Sequence, residues 1–69
     1  MERTYKLIKL VGISHNSYEE AIENAIEAAS KTHSQLDWFQ VIEQRGKITD
    51  GKIAEFQVIL EASFKVIQK

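Results

Sequence analysis

The last segment of the chain sets the strongest limit on its fold. From Lys52 to Ile67 the residues alternate at period two, and Ala54, Phe56, Val58, Leu60, Ala62, Phe64 and Val66 make one continuous apolar face. A strand of about 15 residues extends roughly 50 Å, whereas a helix of about 16 residues covers only ~24 Å. One helix cannot shield such a strand, so part of it must curve away or be covered by another subunit. With 69 residues the chain makes one domain, residues 1–69, and a domain this small buries a modest fraction of its surface. The absence of cysteine removes disulfides and Cys-x-x-Cys zinc sites as reinforcement. His15 and His33 lack the spacing of a histidine-rich metal cage. Self-association is therefore the expected source of further burial.

Nine basic against ten acidic side chains give a formal charge of -1, without the basic excess that binding to a phosphate backbone demands. No apolar run approaches the roughly 18 to 20 residues of a membrane span, and the opening residues lack the apolar segment of a signal peptide. A soluble, cytoplasmic protein with no nucleic-acid or membrane partner is expected.

Thr4 to Gly12 is rich in strand formers and ends on glycine, so it reads as a first strand, with Gly12 to Asn16 as a loop. Ser17-Tyr18-Glu19-Glu20 has the capping-box pattern: the serine oxygen accepts from the backbone three residues on, and the glutamate answers back. A helix follows to about Thr32 or His33, with Tyr18, Ala21, Ile22, Ala25, Ile26, Ala29 and Thr32 in its buried stripe. Acidic residues in the first turns and Lys31 in the last suit the helix dipole. Trp38 to Thr49 and Lys52 to Ile67 flank Asp50-Gly51, a strong two-residue hairpin signal. The fold class is α+β: β-α-β-β, a three-stranded antiparallel sheet partly wrapped around one helix.

A tight Asp50-Gly51 turn places Trp38 opposite Ser63 and Gln44 opposite Gln57. Phe39 and Val41 then face the helix with Phe56, Val58, Leu60 and Ala62. Trp38, Gln40, Ile42, Gln44, Gln57, Ile59 and Glu61 share the helix-free face. The single tryptophan thus lies away from the core, where its ring serves either a flat aromatic ligand or packing against another subunit. Gln57 read alone is a solvated strand amide, and Arg45 either an ion-pair partner of Glu43 or Glu55 or a phosphate ligand. Trp38 and Gln57 lie about six residues apart along the hairpin, roughly 20 Å, so one ligand could meet both only if they came from different subunits.

His15 and His33 read as a solvated imidazole and a helix-end contact. Ser14, His15 and Glu19 are close in sequence, yet no nucleophile elbow, triad spacing or oxyanion motif accompanies them, and there is no Gly-x-Gly-x-x-Gly or Walker loop. No enzyme chemistry is expected.

Three segments resemble dodecins: Tyr5-Lys6-Leu7-Ile8-Lys9-Leu10-Val11-Gly12-Ile13-Ser14 at the first strand, Leu36 to Gly46 (Leu-Asp-Trp-Phe-Gln-Val-Ile-Glu-Gln-Arg-Gly) at the second, and Phe56 to Lys65 (Phe-Gln-Val-Ile-Leu-Glu-Ala-Ser-Phe-Lys) at the third. The likeness runs in order over almost the whole chain, and its specificity rests on Trp38, Arg45-Gly46 and Gln57 occurring together. It implies a hollow homododecamer built of trimers, with paired flavins held between tryptophans near two-fold axes. Carried over, Trp38 would stack on the isoalloxazine, Gln57 would bond its polar edge and Arg45 would meet the ribityl-phosphate side of FMN. The implied function is flavin storage with quenching of flavin photochemistry, without catalysis. Coenzyme A is implied as a second ligand, for which Lys6, Lys31 and Lys65 are available cations. Ile13, where threonine is common, and His15-Asn16, where acidic residues often occur, depart from the family pattern. The competing readings are a structural or metal-binding shell of the same fold without flavin, and a small flavin-dependent redox enzyme.

Overall fold

A computed structural model describes residues 3–66. The order is β1 (Thr4–Ser14), α1 (Tyr18–Ser30), β2 (Leu36–Thr49) and β3 (Lys52–Val66). The strands form one antiparallel sheet in the order β1-β3-β2, so the long last strand is central and paired on both sides. Ile67, placed in this strand by its alternation, lies outside the described residues.

The hairpin turn has the expected chemistry, with Asp50 at φ 53° and Gly51 at φ 75°. Two positive φ values define the turn whose twist matches its flanking strands. Gly12 does not end the first strand as its residue type suggested. It pairs with Val58, and β1 runs on to Ser14. Its role is close approach: a Cβ there would lie 2.0 Å from the backbone oxygen of Ala21 and 3.0 Å from the Ala25 methyl. Glycine on the strand and alanines on the helix let the two backbones come together. Ala21, Ala25, Val58 and Leu60 form the buried centre, with Leu10, Tyr18, Ile22, Ile26 and Val41 packed around them.

Ser17 caps the helix as expected, its Oγ accepting from the Glu20 backbone N–H at 3.0 Å. Glu20 does not answer back directly. Its carboxylate accepts from the Ser14 hydroxyl and from Asn16 Nδ2, while the Ser14 Oγ accepts from the backbone N–H groups of Asn16 and Ser17. The box is closed through Ser14 because the strand delivers that hydroxyl, buried, to the start of the helix. These bonds hold Glu20 below the ordinary glutamate pKa. The helix is shorter than its sequence pattern: it stops at Ser30, and Lys31 is the C-cap rather than a residue of the last turn. Thr32 and His33 instead turn their N–H groups back onto the Ala29 carbonyl.

The 13-residue helix spans ~20 Å, less than half the ~50 Å of the 15-residue β3. The molecule is correspondingly long, 55 × 20 × 13 Å. Beyond the helix, the hairpin tip leaves Ile48 and Ile53 exposed at 74% and 65%.

Gly12→Ala should destabilise the fold by about 1–3 kcal/mol or more, because the methyl meets backbone that cannot rotate aside; denaturant unfolding at fixed subunit concentration reads this. Glu20→Gln should cost stability at neutral pH and lose its effect in acid. A lowered native pKa means that the stabilisation is complete above the ordinary glutamate range and vanishes as pH falls through the native value. Unfolding midpoints of the two proteins should therefore converge on acidification.

Candidate functional site

The face of the sheet without the helix carries the unusual residues, and bulges decide which ones. Trp38 pairs with Ser63 as the turn geometry predicts, and Gln40 with Glu61. Nearer the turn the register differs from a regular hairpin. Ala54 on β3 and Ile42 on β2 are each left without a partner, and the two insertions cancel beyond Val41. Between them Arg45, not Gln44, stands opposite Gln57, while Gln44 pairs with Val58 in the helix-facing row. Gln44 and Ile42 are thus not in the regular helix-free row where sequence alternation put them. Glu43 and Arg45 take those places, and Ala54 interrupts the apolar face of β3.

The corrected register brings two expected site residues into contact. Arg45 Nε donates to Gln57 Oε1 at 2.9 Å, and Gln57 Nε2 donates to Glu55 Oε1 at 2.9 Å. Gln57, rather than Glu43 or Glu55, is thus the residue that Arg45 bonds. The Gln57 amide is held in one orientation, leaving one N–H and the terminal guanidinium nitrogens of Arg45 for other partners.

Trp38 is elsewhere. Gln57 is six residues from Ser63 along β3, which sets the indole roughly 20 Å from the Arg45–Gln57 pair. The indole is 48% exposed and its surroundings are built with care. A third irregularity leaves Asp37 without a partner between Leu36 and Trp38, opening the ladder there. The buried Ser63 hydroxyl closes the gap: its Oγ accepts from the Trp38 N–H and donates to the Trp38 carbonyl, both at 3.2 Å. From the far side of β3, Tyr5 brings its ring to 6.1 Å from the indole at an interplanar angle of 53°. The Tyr5 hydroxyl donates to Asp37 Oδ2 at 2.8 Å. That bond, with some desolvation, holds the phenol above its ordinary pKa, while the Arg3 guanidinium over its ring pulls the other way. Tyr5, Asp37 and Ser63 were not singled out by sequence. Hairpin counting did set Ser63 opposite Trp38, but Tyr5 becomes a neighbour only through the β1–β3 register.

Leu7, Val11 and Ile13 project from β1 on the same face and are about half exposed. Two concavities lie elsewhere. Glu19, Ile22, Glu23, Ile26, Glu27 and Phe39 line a groove of about 520 Å³ along the helix. Lys6, Thr32, His33, Ser34, Gln35, Phe64, Lys65 and Val66 line a cleft of about 460 Å³ at the helix C-terminus. The cleft joins Lys6 and Lys65 of the expected phosphate-binding cations, but Lys31 is not in its lining. His33 packs its ring 4.9 Å from Phe64 and reaches the Ala29 carbonyl, the helix-end position expected of it. His15 Nδ1 is 3.1 Å from the Ala54 carbonyl. Among the described residues no three His, Cys, Asp or Glu side chains come together in a metal-binding arrangement, and no helix is long and apolar enough to cross a membrane.

These features define a β-α-β-β module whose central strand outruns its helix and whose second sheet face is half apolar. The dodecin family model matches residues 4–67, and the chain belongs to the dodecin family. A dodecin from Thermus thermophilus is 44% identical over 66 residues, covering 96% of each chain. The structure of a dodecin from Streptomyces davaonensis superposes with a TM-score of 0.92 at 40% identity, covering 99% of this chain and 100% of that one. The calcium dodecin of Mycobacterium tuberculosis is 31% identical over 62 residues, covering 90% of this chain and 87% of that one.

Ser63→Ala should cost about 1–3 kcal/mol by leaving two Trp38 backbone groups unsatisfied. It should also loosen the indole, seen as lower tryptophan fluorescence anisotropy in a protein of unchanged mass.

Proposed function

We propose that this protein stores and sequesters flavin, FMN in the first instance, as a cytoplasmic hollow dodecamer built of trimers, and that it carries out no catalysis. The observation that carries the reading is the half-exposed Trp38 indole, braced by Tyr5 and Ser63 on a sheet face that the protomer's own helix does not cover. Its exposed ring is a stacking platform for an isoalloxazine. The residues fit such a ligand: an aromatic plane, the free N–H of the Gln57 amide for a polar ring edge, and the guanidinium of Arg45 for a phosphate. Trp38 and the Arg45–Gln57 pair, roughly 20 Å apart in one protomer, meet on one ligand when a two-fold axis sets one subunit's indole beside its partner's pair.

Apolar surface supports assembly independently. Leu7, Val11, Ile13, Phe39, Ile42, Ile48 and Ile53 are large apolar side chains left exposed by the protomer, surface of the kind that contact with other subunits covers. Bound flavin supplies a redox-active, light-absorbing ring. Stacking that ring between indoles excludes water and substrates from it and lets Trp38 quench its excited state by electron donation. Coenzyme A is the second ligand we propose, its phosphates held by Lys6 and Lys65 in the cleft at the helix end.

A metal-binding shell without flavin is the second reading, favoured by the relative named calcium dodecin. A metal would need ligands from more than one subunit, since the described residues of one protomer bring no three together.

Titration of the apoprotein with FMN, with native mass recorded on the same sample, should show flavin fluorescence quenched to saturation at one flavin per subunit in a dodecamer. Trp38→Ala should weaken binding about 5- to 150-fold, the range that corresponds to stacking worth about 1–3 kcal/mol. An intact dodecamer that binds no FMN would leave the fold and remove the flavin function.

A further inference from the structure

The Tyr5 phenol is bonded to a carboxylate at one end and lies against the Trp38 indole at its ring. Asp37 can reach it only because the strand is irregular. In a regular strand neighbours 37 and 38 would point to opposite faces, but Asp37 is the unpartnered residue between Leu36 and Trp38, so its carboxylate swings to the tryptophan side. Tyr5, in the second pair of the β1–β3 ladder, spans the central strand to meet both residues. An oxidisable ring beside an indole, with a base 2.8 Å from its hydroxyl, is the arrangement required for coupled loss of an electron and a proton.

We propose that Tyr5 is a redox relay for Trp38: when Trp38 loses an electron to a photoexcited flavin, Tyr5 returns one to the indole and its phenolic proton passes to Asp37. The inference rests on the flavin reading for its oxidant. The step balances. One electron leaves the Tyr5 ring and restores neutral Trp38; the O–H bond of Tyr5 breaks as an O–H bond forms on Asp37 Oδ2. A neutral phenoxyl radical and a neutral carboxylic acid remain. Return of the electron from the reduced ligand to Tyr5, with the proton moving back from Asp37, closes the cycle with nothing consumed. Without the relay the hole stays on the indole, whose oxidised ring is open to irreversible reaction. The pair thus preserves the residue on which quenching depends.

The apoprotein supplies the test. Azide radicals generated by pulse radiolysis oxidise indole, and transient absorption distinguishes indole from phenoxyl radicals. In the wild-type protein the indole radical should convert to phenoxyl at a rate independent of protein concentration. Tyr5→Phe should abolish that rise and lengthen the indole lifetime several-fold, and Asp37→Asn should slow it. Tyr18→Phe should leave it unchanged, because Tyr18 packs edge-on against Phe56 in the helix-facing layer. An unaltered indole lifetime in folded Tyr5→Phe would overturn the relay. If Tyr5→Phe does not fold, Tyr18→Phe decides: the sequence has two tyrosines, so a phenoxyl rise that survives belongs to Tyr5, and one that disappears overturns the proposal. Under steady illumination with FMN, Tyr5→Phe should lose intact Trp38 several-fold faster by peptide mass analysis. Rapid transfer in an apoprotein that binds no FMN would support the electron path and remove the flavin reading alone.

Discussion

A central strand that pairs with β1 from Phe56 to Val66 and with β2 from Lys52 to Phe64, but is roofed by a helix less than half as long, is the constraint from which the rest of the molecule follows. The helix can be short because it sits very close: Gly12 offers no side chain, and Ala21 and Ala25 offer only methyls, so two backbones meet with little between them. Close approach gives a well-defined contact but little buried volume. Apolar side chains are left on the opposite sheet face and at the hairpin tip, and their burial requires other copies of the chain.

Irregularities in pairing then decide what that open face contains. Two insertions of opposite sense, Ile42 on β2 and Ala54 on β3, shift the register by one residue over the stretch between them and restore it on either side. Because strand faces alternate, a one-residue shift exchanges one set of side chains for the other. The exchange replaces Gln44 with Arg45 opposite Gln57 and creates the polar ladder from Arg45 through Gln57 to Glu55. The third irregularity, at Asp37, lets the carboxylate and the indole lie on one side of the sheet.

The open face has an aromatic end and a polar end. At the aromatic end Trp38 is held by its backbone through Ser63 and by its ring through Tyr5, so an exposed side chain is nevertheless oriented. At the polar end Gln57 is oriented by Arg45 and Glu55. Order imposed before a ligand arrives reduces the entropy lost on binding, and under the proposed flavin function the separation of the two ends would make the subunit interface, not the protomer, the binding unit.

Much of this was legible in the residues. Alternation from Lys52 onward, the Asp50-Gly51 turn and the Ser17 cap each depend on local geometry, and local geometry is encoded by neighbouring side chains. The same reasoning located Trp38 opposite Ser63 and away from the helix. Strand and helix ends were less legible: Gly12 read as a terminator because glycine usually is one, whereas its reason is a helix backbone distant in sequence. The bulges were not legible at all. Both are shifts in the pairing between β2 and β3, set across the sheet rather than by sequence neighbours, so no local pattern marks Ile42 or Ala54. The chain alone thus determined its elements, its need for partners and the exposure of its tryptophan. Only the tertiary structure decided that Arg45 meets Gln57 and that Tyr5 and Asp37 meet at Trp38, because those contacts are set by registers between strands that alternation constrains only to within a residue.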